Sequence, residues 1–108
     1  MSDFVTVAKL SDFGDNNALR VQIHGEDIAV FRQGDRIYAL NDRCPHKGGP
    51  LSLGWVEDGH VFCPLHAWKF DLQTGSCESN WERPAQSYEV KIVNNEVQIR
   101  QRGEPSNA

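Results

Sequence analysis

No segment of this chain keeps a helical period, no internal repeat is present, and no apolar run is long enough to span a bilayer. Cysteine is scarce. Three residues is an odd count, which argues against a disulfide framework. An excess of basic residues is also missing: Lys and Arg total 11 against 15 Asp and Glu, for a net charge of -4. That balance excludes a broad nucleic-acid-binding surface and suits docking to a basic patch on another protein. The opening Met1-Ser2-Asp3-Phe4-Val5 lacks the basic region and apolar core of a signal peptide. The expectation is a cytoplasmic protein that engages neither membrane nor nucleic acid.

What the chain does contain is short alternating runs closed by turn residues. Phe4–Lys9 alternates around Val5 and Val7. Ser11–Asn17 is polar and reads as a loop. Ala18–His24 places Leu19, Val21 and Ile23 on one face, and Gly25-Glu26-Asp27 turns into Ile28–Arg32. Gln33-Gly34-Asp35 turns again into Arg36–Leu40. Leu53–Val56 and His60–Phe62 flank Glu57-Asp58-Gly59, a strong hairpin signal. Trp68–Leu72 reads as a strand ending at Thr74-Gly75, and Ser79–Gln86 as a loop. Tyr88–Val93 and Glu96–Arg100 form a last hairpin around Asn94-Asn95. The polar tail Gly103–Ala108 is expected to fray. At 108 residues this is one all-β domain, small enough for bound metal to matter to its stability.

The chemistry concentrates between Cys44 and His66. The chain reads C-P-H-K-G-G-P at Cys44–Pro50 and C-P-L-H at Cys63–His66, with sixteen residues (47–62) between His46 and Cys63. Each short loop supplies one thiolate and one imidazole. A Cys2His2 zinc finger instead groups its two Cys and then its two His. The paired order suits a binuclear iron centre in which one iron takes two Cys and the other two His. The Asp58-Gly59 hairpin would bring the two loops side by side. A structural zinc is the plainer alternative. A Cys–His catalytic dyad leaves the second pair unexplained.

The C-x-H…C-x-x-H pairing, with Gly-Gly-Pro after the first pair and aromatics after the second, resembles the Rieske family. The resemblance implies one [2Fe-2S] cluster, with Cys44 and Cys63 on a buried inner iron and His46 and His66 on an outer iron near the surface. It also implies a Rieske fold: an antiparallel β-sandwich or barrel base of residues 1–42 and 80–102, with residues 43–79 inserted as a cluster-binding subdomain. Two ligands per iron plus bridging sulfides leave no open coordination position, so one-electron transfer is expected rather than catalysis, with the His edge as the exit.

Higher-potential members of the family carry a second Cys in each loop, joined as a disulfide, and a Ser and a Tyr whose hydroxyls bond to sulfur. The corresponding positions here hold Gly49, Leu65, Trp68 and Phe70. Fewer donors to sulfur lower the potential, which places it near the low end of the Rieske range, roughly −150 mV or somewhat below. C-P-H-K-G-G-P-L-S-x-G followed by C-P-L-H-x-W-x-F-D-L-x-T-G is similar to the small subunit of assimilatory NAD(P)H-dependent nitrite reductases, and all four ligand residues are retained. The partner would then be a large subunit carrying flavin, a [4Fe–4S] cluster and sirohaem. The second reading is a Rieske ferredoxin passing electrons from a flavoprotein reductase to an aromatic-ring-hydroxylating dioxygenase.

Other singular residues have plainer readings. Cys77 reads as a packed thiol in a turn, and His24 and His60 as surface or edge residues. Trp55, Trp68 and Trp81 are expected in the core, with Trp68 also screening the centre from water. Lys47 and Leu65 flank the His ligands on the exposed loops, and Pro84 matches a third shielding loop of the family.

Overall fold

The computed structural model describes residues 4–13, 17–44, 49–65, 67–79 and 84–101. Within them the chain forms β1 (Val5–Lys9), β2 (Ala18–Ile23), β3 (Glu26–Gln33), β4 (Arg36–Asn41), β5 (Trp55–Glu57), β6 (His60–Phe62), β7 (Lys69–Asp71), β8 (Ser87–Val93) and β9 (Glu96–Gln101). Two 3-10 turns cover Leu10–Phe13 and Leu51–Leu53. The all-β expectation holds. A local difference is the first 3-10 turn, inside a stretch that reads as loop, and the second turn takes Leu53 out of the strand expected over Leu53–Val56. The first turn is seeded by Asp12, whose carboxylate accepts the Lys9 N–H at 2.9 Å, and it buries Phe13.

Six strands make an antiparallel sheet in the order β1-β9-β8-β4-β3-β2. Its two edge strands, β1 and β2, lie in contact, so the sheet curls toward a barrel. The remaining strands form a second sheet, β5-β6-β7. The hairpins follow their turn residues. His24-Gly25, Asp58-Gly59 and Asn94-Asn95 all take positive φ, the pattern of two-residue type I′ turns. His24 thus belongs to a turn, at φ 52, rather than to the end of a strand.

The middle of β3 is buried on both faces. Ile28 and Val30 join Phe13, Ala39, Tyr88, Val97 and Ile99 in the core inside the curled sheet. Ala29 and Phe31 point the other way, into a second core with Leu40, Leu51, Val61 and Phe70. An uninterrupted I-A-V-F run is what a strand shared by two cores requires. This shared wall carries the second sheet.

Candidate metal centre

Both motif cysteines lie in the second core. Cys44 is 1% exposed and Cys63 0%. Cys44 follows β4, and Cys63 directly follows β6. The two loops are closed alike. The Cys44 N–H donates to the Gly49 carbonyl and the Cys63 N–H to the Trp68 carbonyl, each five residues on and each at 2.9 Å. In the second loop the Ala67 N–H returns to the Cys63 carbonyl at 2.9 Å, with Ala67 at φ 58. His46 and His66 lie outside the described residues, as do Lys47 and Trp81.

The loops converge. A Cβ placed on Gly49 would stand 2.8 Å from Leu65 side-chain atoms and 3.3 Å from the Cys63 sulfur. The backbone of the first loop therefore abuts both the tip of the second and its thiol. Positions 49 and 65 face one another with no sulfur at either. All three cysteines are free of disulfides. Two buried thiols, delivered to one core by two matching loops in near contact, are a donor set that fits a binuclear thiolate-ligated centre. Trp68 packs at the edge of this core and Phe70 is fully buried in it.

The support beneath the loops comes from residues with no metal-binding signature. Arg43 and Pro50 form an isolated antiparallel bridge across the base of the first loop. Asp42, 3% exposed, holds the second 3-10 turn against that base. Its carbonyl accepts the Leu51 N–H at 2.7 Å, and its carboxylate accepts the Ser52 N–H at 2.7 Å. Gly54 lets that turn meet β6: a Cβ there would lie 1.9 Å from the Phe62 carbonyl oxygen.

On the other side, the 76–79 segment is tied to the small sheet. Glu78 bonds His60 Nε2 at 2.6 Å and stands 3.5 Å from Lys69 Nζ. The His60 bond is the main reason the Glu78 carboxyl is held below its ordinary range. His60 is therefore a structural partner of Glu78. Cys77 is buried in the same core and bridges to Phe70, a packed thiol as expected. Pro84 is exposed, and its neighbour Ala85 is the residue that packs in the cysteine-bearing core.

One sequence expectation fails outright. Trp55 is not a core residue: it is 47% exposed and stacks on Phe62, with ring centroids 5.2 Å apart. A three-stranded sheet has one face on the core and leaves the other open. Leu53 and Leu65 are exposed as well. Among the described residues, no helix is long and apolar enough to cross a membrane.

Comparison with known proteins agrees with the geometry. The Rieske [2Fe-2S] domain family matches residues 3–97. The anthranilate 1,2-dioxygenase ferredoxin subunit of Burkholderia cepacia is 45% identical over 74 residues, 67% of this chain and 68% of that protein. The ferredoxin of carbazole 1,9a-dioxygenase from Nocardioides aromaticivorans superimposes with a TM-score of 0.84 at 27% identity, covering 94% of this chain and 100% of the other. A protein provisionally assigned as the small subunit of an NADPH nitrite reductase superimposes with a TM-score of 0.83 at 28% identity, covering 92% and 99%. With two buried cysteines on paired loops beneath a curled β-sheet, this chain belongs to the Rieske [2Fe-2S] domain family.

Proposed function

We propose that this chain is a Rieske ferredoxin, a cytoplasmic one-electron carrier between a flavoprotein reductase and a ring-hydroxylating oxygenase. Cys44 and Cys63 hold the inner iron, and His46 and His66 hold the outer iron. Residues 43–79 act as the cluster-binding part, and the strands before and after them as the base. When bound, the [2Fe-2S] cluster supplies reversible one-electron redox chemistry without an open coordination position. The protein's own part is to hold and shield. The matched loop closures fix the two thiols. Leu51, Val61 and Phe70 surround them with apolar side chains, and Trp68 flanks that core. The same enclosure keeps water from the sulfur side, where it would stabilise charge.

The observation that carries the reading is the pair of buried cysteines on convergent loops that share the same closing backbone bond. The choice of partner is supported by the 45% identity to a dioxygenase ferredoxin subunit. The second reading, a nitrite reductase small subunit, is favoured by the K-G-G-P and H-A-W sequences and by the 28% identical structure. Reconstitution tests both. The carrier reading expects NADH-dependent turnover of a reductase–oxygenase pair to depend on added holoprotein. Stable co-purification with a sirohaem protein, and no support of hydroxylation, would transfer the assignment to the second reading. A colourless protein that stays without a rhombic low-temperature EPR signal after iron–sulfur reconstitution and dithionite would end both.

A further inference from the structure

We propose that Asp42 is a positioning residue whose buried charge sets the reduction potential of the centre. The inference rests on the reading of Cys44 as an iron ligand. Asp42 and Cys44 flank the exposed Arg43, and both are buried. The main chain of Asp42 is fully engaged: its N–H donates to the Asp27 carbonyl at 2.9 Å, and its carbonyl accepts the Leu51 N–H at 2.7 Å. Its side chain holds Ser52 through one oxygen, at 2.7 Å. The second oxygen stands 3.7 Å from Arg20 Nη1, and the Arg20 side chain is 56% exposed.

The fold needs only an acceptor at this position. An asparagine amide oxygen would satisfy the Ser52 N–H equally well, and a neutral amide is cheaper to bury than a carboxylate. The charge therefore exceeds what the local structure requires. Among the described residues its ion-pair partner is Arg20, which faces solvent and so offsets the charge only in part. A negative charge kept out of water two residues from a thiolate ligand disfavours the uptake of an electron. The carboxylate would hold the potential down, in the same direction as the missing hydroxyl donors at Trp68 and Phe70.

The two side chains give opposite predictions, which separates charge from structure. Asp42→Asn keeps the bond to Ser52 and removes the charge. Arg20→Gln leaves the carboxylate in place and removes its offset. Both are tested as holoprotein in dithionite titrations at low ionic strength, where exposed charges are least screened. Asp42→Asn should raise the midpoint, changing the reduced-to-oxidised ratio at fixed potential about tenfold, or about 59 mV for one electron. Arg20→Gln should lower it by less. The EPR g-values should stay those of the parent in both. An unchanged midpoint in Asp42→Asn, or shifts of the same sign in both variants, would overturn the inference. Should Asp42→Asn fail to retain the cluster, Arg20→Gln alone decides: a lowered midpoint supports the proposal and an unchanged one overturns it. A parent protein with no Rieske signal would instead count against the ligand assignment itself.

Discussion

At Gly54 and Gly49 the same substitution meets two different obstacles. A Cβ on Gly54 would strike the Phe62 carbonyl oxygen at 1.9 Å, and a backbone atom in a paired strand has nowhere to go. Gly54→Ala should cost about 3 kcal/mol, read by chemical denaturation, with loss of bound iron. A Cβ on Gly49 meets mainly the Leu65 side chain, which is 51% exposed and can swing outward. Gly49→Ala should cost about 1 kcal/mol, most of it recovered in the Gly49→Ala, Leu65→Ala double variant. Glu78 gives the residue scale a pH dependence. Its carboxyl is held low chiefly by the bond from His60. A carboxyl with a lowered folded-state value adds stability above its ordinary range, and that contribution disappears as pH falls through the lowered value. The melting temperature of the parent should exceed that of Glu78→Gln near pH 6, and the gap should close on acidification below about pH 4.

The hairpin between the ligand loops is the element on which the site turns. Gly59 has φ +79 with open space around its missing Cβ, so Gly59→Ala is opposed by backbone conformation alone. The cost should be about 1–2 kcal/mol, visible as a lower melting temperature with the visible spectrum unchanged in the folded protein. This hairpin was legible because Asp-Gly between apolar runs carries its own conformational signature, as do the Asn94-Asn95 and Gly34 turns. The cysteine pair stands out in the sequence because its spacing matches a ligand pattern, and the fold buries both residues in one core. The supports do not stand out. Asp42 sits in N-D-R, which carries no signal of its own in the sequence, and only the fold shows its carboxylate enclosed. Trp55 lies outside the core because it is on the open face of the small sheet, and three residues of alternation cannot say which face is covered. The Leu10–Phe13 turn is too short for any period to register.

Across the whole molecule, the wall of β3 and β4 links two cores. Phe31 is fully buried on the side of the cysteines, while Val30 is fully buried inside the curled sheet. Phe31→Ala should cost about 3–5 kcal/mol. Because the wall is common to both cores, far-ultraviolet dichroism and cluster absorbance should report one coincident transition. The midpoint potential should lie near −150 mV or lower, since neither Gly49 and Leu65 nor Trp68 and Phe70 offer the disulfide or hydroxyls found in higher-potential relatives. Spectropotentiometric titration checks this, and a value well above zero contradicts it. The shared wall also limits how the centre can be transplanted. Residues 43–79 contain the whole C-x-H…C-x-x-H motif, but Ala29, Phe31 and Leu40, which close one side of the cysteine-bearing core, lie earlier in the chain. A peptide cut to the motif would leave those apolar surfaces unmatched. An engineer moving this centre into another scaffold must carry a two-strand floor with it, or choose a host whose sheet already presents one.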